Sequence, residues 1–198
     1  MIRLDFKTSG FGNRLIHLLQ LDSKTPVLDN ILHDDIVFKN LNIQKDDPIL
    51  ETLENPPIYI NENTITRVHP NIRNILEPSE KIKLFPVPEI GIAIRLFEEA
   101  PPEIPRTPKE IYEYVIESLN PQPMFVACES IEYKKELDAK FPNRLTFLDY
   151  PSQYLEFFLL STCKRIYITA GNKNLQGFST FGYMAAIYGG AEQVWLQI

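Results

Sequence analysis

The chain has 198 residues, 44% of them apolar, and a formal net charge of −6. That length fits one domain or two small ones, and that apolar share supplies a buried core, which excludes a wholly disordered chain. No Lys/Arg cluster dominates any face that can be reconstructed, so broad nucleic-acid binding is excluded as well.

The first strand expected is Ile2–Phe6. It leads into Thr8-Ser9-Gly10-Phe11-Gly12-Asn13 and then a helix over Arg14–Leu21. Glycine lets the backbone turn tightly there and approach a ligand, and Asn13 can cap the helix or reach that ligand. Short apolar pieces follow at Ile36–Phe38, Ile58–Ile60 and Ile82–Phe85, split by prolines, asparagines and acidic residues. Phe85-Pro86-Val87-Pro88 reads as a stiff linker. It divides the chain into a reduced N-terminal α/β lobe, residues 1–86, and a second domain, residues 87–198.

Beyond residue 90, apolar runs alternate with helical patterns. Strands are expected at Ile90–Leu96, Met124–Cys128, Leu145–Leu148, Arg165–Thr169 and Val194–Gln197, with helices near 108–119, 131–140, 152–163 and 180–188. In the first helix Thr107 can serve as N-cap, Pro108 suits the first turn and Glu110 completes a capping box. Ile111, Val115, Ile116 and Leu119 then repeat at helical spacing. In the third, Tyr154, Leu155, Phe158 and Leu159 form the apolar stripe behind a possible Ser152 cap. The last helix is rich in small residues and stops at Gly189-Gly190. This alternation predicts right-handed βαβ units: an α/β domain with a parallel, Rossmann-like sheet and helices on both faces.

Open α/β folds bind ligands beyond the carboxyl ends of their strands, and three segments fall there. One is Gly10–Asn13. Another contains Arg95, at the end of an otherwise apolar strand; a salt bridge to a neighbouring acid and a fork gripping a phosphate pair are both open for it. The third is Ser179-Thr180-Phe181, where a helix start aims unpaired N–H groups and the positive end of the helix at one point, which suits a phosphate. An ordinary N-cap would look the same.

Other chemistry-bearing residues have plainer expectations. Cys128 and Cys163 read as buried free thiols in a reducing compartment. The opening MIRLDFKTSG lacks a signal-peptide core, and no apolar run spans a bilayer, so a cytoplasmic location is expected. His17, His33 and His69 show no ligand spacing, and Asp34-Asp35 and Asp46-Asp47 read as solvated turns, so no metal site is expected. Trp195, Tyr183 and Tyr188 occupy core-like positions and are expected to pack.

Four segments together carry a resemblance. SGFGNRLIHLLQL resembles the N-terminal G-x-G-N-x motif of α-1,2- and protein O-fucosyltransferases, and GIAIRLFEE is similar to their H-x-R-R-x-D strand. MFVACESIEYKKEL resembles their strand-turn-helix segment. YITAGNKNLQGFSTFGYMAAIYGGAEQVWL follows the α-1,2-fucosyltransferase pattern of a Ser-Thr-Phe turn, an Ala-Ala helix and a Gly-Gly stop. The likeness covers residues 9–21 and most of 90–198.

The resemblance implies a GT-B-like inverting glycosyltransferase that uses a GDP-sugar, expected to be GDP-fucose, without a bound metal or other cofactor. A glycan hydroxyl would be the acceptor. Arg95 would contact the donor pyrophosphate, Ser179, Thr180 and Phe181 would surround the β-phosphate, and Gly12 and Asn13 would line the donor cleft. Glu129 falls where the family has a polar or acidic residue facing the nucleotide. Glu98 is the expected base, with Glu99 next. The motif's His is replaced by Ala93 and its second Arg by Leu96, and the N-terminal region is shorter than the family's. Two alternatives therefore accompany this expectation: a glycosyltransferase for another nucleotide sugar, and a non-catalytic relative that only binds one.

Overall fold

The structure, a computed structural model, describes residues 3–5, 11–20, 26–28, 34, 36–39, 42–44, 52–54, 72–80, 82, 84–96, 106–148, 152–171 and 179–197. The chain forms two compact units, Met1–Lys83 and Leu84–Ile198.

The first unit contains, in chain order, β1 (Arg3–Asp5), α1 (Phe11–Gln20), β2 (Pro26–Leu28), β3 (Ile36–Phe38), β4 (Asn42–Gln44), β5 (Thr52–Glu54), α2 (Ile72–Ile75) and β6 (Leu76–Pro78). Four strands form a parallel sheet in the order β4-β2-β1-β5, while β3 pairs antiparallel with β6. Helix α1 begins at Phe11, earlier than the sequence suggested. Phe11, Leu15 and Ile16 make one buried stripe, so the helix reaches back far enough to bury Phe11. The apolar piece at Ile58–Ile60 lies outside the described residues.

The second unit carries β7 (Ile90–Ile94), α3 (Lys109–Ser118), β8 (Met124–Cys128), α4 (Ile131–Lys140), β9 (Leu145–Thr146), α5 (Gln153–Ser161), β10 (Arg165–Gly171), α6 (Thr180–Gly189) and β11 (Glu192–Gln197). Its five strands are all parallel, in the order β11-β10-β7-β8-β9. Strands buried on both faces need no polar alternation, which is why Ile90–Ile94 and Met124–Cys128 are continuous apolar runs.

The two sheet faces are covered by different helices. Ile90, Ile92, Ile94, Met124, Val126 and Cys128 pack with Tyr112, Val115 and Ile116 of α3 and Tyr133 and Leu137 of α4. The intervening residues face α5 and α6. This is the Rossmann-like parallel sheet with helices on both sides that the alternating pattern predicted.

Helix starts are set by serines. Ser130, Ser152 and Ser179 each stand in extended backbone and accept a hydrogen bond from the amide three residues on. Thr107 does not do this for α3. Pro108 occupies the N-cap position with φ −57° and ψ 144°, so the helix starts at Lys109 and Thr107 lies one residue too early to cap it. At the far end of α6, Gly190 has φ 75° and its amide returns to Ala186, which ends the helix at the expected glycine pair.

Helix α6 lies hard against the sheet. A Cβ on Gly182 would stand 2.5 Å from the Cβ of Ala93 on β7. Ala93, where the resembled motif has His, is buried in this contact, and an imidazole there would displace the helix. Gly182→Ala should therefore lower stability by about 1–3 kcal/mol through overpacking, less the roughly 1 kcal/mol that alanine gains in a helix. A urea midpoint above that of the native protein would contradict this contact.

Two aromatic expectations divide. Tyr188 packs edge-on against Phe157 and Phe158, whereas Trp195 is 37% exposed and rests one side on Tyr183. Trp195 lies on β11, the edge strand of this sheet, where burial is lower than on the central strands. Cys128 and Cys163 are buried and free, each thiol pushed up to about 12 chiefly by burial.

Candidate functional site

Strand order dictates where a ligand can enter the second unit. From β7 the chain steps outward through β8 to β9, then crosses back over β7 to β10 and moves on to β11. The direction reverses between β7 and β10. The helices that follow these two strands pack on opposite faces of the sheet, the arrangement at which open α/β sheets bind ligands.

Arg95 is the first residue after β7, and Ser179 opens α6 after β10. One hydroxyl joins the two segments. Tyr112 of α3 is fully buried, and its Oη donates to the Arg95 carbonyl at 3.1 Å and accepts from the Arg95 amide at 3.3 Å. The same oxygen lies 2.6 Å from Thr169 Oγ1 on β10. Thr169 in turn accepts the Ser179 amide on its carbonyl at 3.1 Å. Burial raises the Tyr112 phenol above its ordinary value, against hydrogen bonding that pulls it down, so it stays protonated and able to donate.

The Arg95 side chain is half exposed. Its Nη1 stands 3.3 Å from Glu129 Oε1, and that oxygen also accepts the Leu96 amide at 2.9 Å. Of the two readings open in the sequence, the salt bridge is thus present. The register explains it: Ile94 pairs with Cys128, so the next residue on each strand brings Arg95 beside Glu129. A half-exposed pair of this kind contributes about 0–1 kcal/mol and yields readily to a stronger anion.

At α6 the picture of several open amides narrows. The Ser179 amide is taken by Thr169, and the Gly182 amide by Ser179 Oγ at 3.3 Å. Thr180 and Phe181 occupy the first two helical positions, and among the described residues no partner receives their amides. Those two N–H groups, with the helix dipole behind them, are what α6 offers an anion.

A buried ion pair lies nearby. Lys134 of α4 meets Glu156 of α5, both almost fully buried, and Lys134 Nζ also donates to the Leu148 carbonyl at 3.4 Å. Burial raises the Glu156 carboxyl, Lys134 pulls it back, and Glu129 adds a small upward push.

The remaining candidates fall elsewhere. Gly12 is buried and Asn13 half-buried in the first turn of α1, in the other unit, so Asn13 does not cap that helix. Glu98 and Glu99 lie outside the described residues. Among the described residues no three His, Cys, Asp or Glu side chains gather into a group that could hold a metal ion, and no helix is long and apolar enough to cross a membrane. Sequence reasoning missed Tyr112 and Thr169. The available signal was a tyrosine in phase with Val115 and Ile116, because a buried phenol must find a hydrogen-bond partner.

No family model and no curated protein matches the sequence. Among solved structures, the chain is similar to POFUT1 in complex with GDP-fucose, with a TM-score of 0.46 and 13% identity over 79% of this chain and 54% of that one. The chain thus spans about half the length of that protein.

Proposed function

We propose that this protein is a fucosyltransferase-like glycosyltransferase, taking a sugar from a GDP-sugar, with GDP-fucose as the expected donor, and passing it to a glycan hydroxyl with inversion. The observation that carries it is the position of Arg95 and the α6 N-terminus on either side of the strand-order reversal. Inverting transfer forms a bond from the acceptor oxygen to the anomeric carbon as the bond to the diphosphate breaks. The acceptor proton goes to a base, and negative charge collects on the departing GDP. Arg95 and the Thr180 and Phe181 amides are donors suited to that charge, the two amides fixed by the helix and Arg95 exchanging Glu129 for the diphosphate. In this account Ser179 shapes the helix start rather than touching phosphate, Glu129 faces the nucleotide, and Glu98 takes the proton. No metal or other cofactor is required.

A second function is favoured by two particulars. Ala93 stands where the resembled motif has His, buried under Gly182, and Arg95 is engaged by Glu129. Both suit a protein that binds a nucleotide sugar without turning it over. A third option, transfer from another nucleotide sugar, differs only in the base and sugar recognised.

A thermal-shift panel of GDP, UDP, ADP and inorganic pyrophosphate separates them, since a ligand that binds the folded state raises the unfolding temperature. GDP and pyrophosphate should stabilise the protein. Stabilisation by UDP but not GDP would overturn the donor, and no stabilisation by any would overturn the site. Incubation with GDP-fucose then decides turnover: release of GDP supports the transferase, and binding without release supports the inactive relative.

A further inference from the structure

We infer that the Tyr112 hydroxyl, together with Thr169 Oγ1, is a positioning clasp that fixes Arg95 and the α6 N-terminus in the relative placement an anion needs. This role presupposes the donor site proposed above.

The clasp consists of hydrogen bonds that cross three separate elements. Tyr112 comes from α3, beneath one face of the sheet, and its Oη engages both the amide and the carbonyl of Arg95. The phenol's one proton is shared between two acceptors in reach, the Arg95 carbonyl and Thr169 Oγ1, and in the 2.6 Å contact either oxygen can donate. Thr169 is fully buried, and its carbonyl holds the Ser179 amide. A continuous path therefore runs from the Arg95 backbone through Tyr112 and Thr169 to the first residue of the α6 cap.

Arg95 lies beyond the last paired residue of β7. The next amide along, that of Leu96, is held by Glu129, which itself pairs with the Arg95 guanidinium. Thr107 Oγ1 is buried and, among the described residues, makes no hydrogen bond, so it is not counted in the clasp.

The test is calorimetric titration of GDP and of inorganic pyrophosphate into the full chain, well below the unfolding temperature. The wild type should bind, and Tyr112→Phe should weaken both ligands roughly five- to tenfold, the worth of about one hydrogen bond. Thr169→Val should weaken them comparably, while Thr169→Ser, which keeps the hydroxyl, should restore affinity; this pair carries the test should Tyr112→Phe fold poorly. Tyr112→Phe should also cost clearly less affinity in an Arg95→Ala background, because part of its effect passes through Arg95. A merely structural role would lower the melting temperature and leave the affinity of the folded protein unchanged. Equal binding by wild type, Tyr112→Phe and Thr169→Val, with Arg95→Ala still weakened, would overturn the clasp and leave the donor site standing. Absence of binding by the wild type would overturn both.

Discussion

Lys134→Met should destabilise the protein by about 3–5 kcal/mol at neutral pH, because it strands the Glu156 carboxylate in the interior. Lys134 and Glu156 are 5% and 7% exposed, on different helices, and among the described residues no second cation meets Glu156. Burial already raises the Glu156 carboxyl above its ordinary 4.5, and Lys134 is what holds it down. A carboxyl raised in the folded state contributes stability below its unfolded value and loses it as pH rises through the folded value. The deficit of the variant should therefore be largest at neutral pH and shrink on acidification towards about pH 4.5. Adding Glu156→Leu should recover most of the loss, since two apolar side chains replace the pair without leaving a charge behind. Urea unfolding at neutral and mildly acidic pH measures all three proteins. A Lys134→Met midpoint equal to wild type, or a deficit unchanged by pH, would contradict the burial of this pair.

Arg95→Ala should weaken GDP at least about tenfold while leaving the fold nearly untouched. A charge-assisted hydrogen bond contributes roughly 1.5–3 kcal/mol, equivalent to tenfold or more in affinity. The bond given up in its place is the half-exposed contact to Glu129, worth about 1 kcal/mol at most. The two magnitudes decide the expected exchange: diphosphate outcompetes the carboxylate. For the same reason the stability loss on Arg95→Ala should not exceed about 1 kcal/mol. Calorimetric titration together with a denaturant midpoint separates the effects, and an unchanged GDP affinity would remove Arg95 from the site.

The second unit was largely legible in the sequence because its central strands β7 and β8 are buried on both faces and so appear as unbroken apolar runs, while Ser152 and the Gly189-Gly190 pair mark helix ends chemically. Strand lengths were less so. Thr146 ends β9 because only Met124 and Phe125 offer it partners, a fact of register rather than of composition. The α3 start was misplaced by one residue, since Thr-Pro fits a cap wherever Pro108 is helical, and its ψ of 144° is not.

For the candidate site, the sequence pointed to Arg95 and Ser179-Thr180-Phe181, but three features lay beyond it. Which acid meets Arg95 depends on β7 and β8 being neighbours in a particular register. Tyr112 counts as one more apolar residue in a helical period, and its oxygen acquires a role only once α3 is laid under β7. Ala93, a departure from the resembled motif, becomes intelligible as the flat surface that Gly182 requires.

Amide-resolved NMR during titration with GDP addresses the pyrophosphate cradle most directly. The backbone signals of Thr180 and Phe181 and the guanidinium signal of Arg95 should move together and saturate at one concentration. Saturable shifts confined to other parts of the chain, or no shift at these three residues when GDP is in excess, would contradict it.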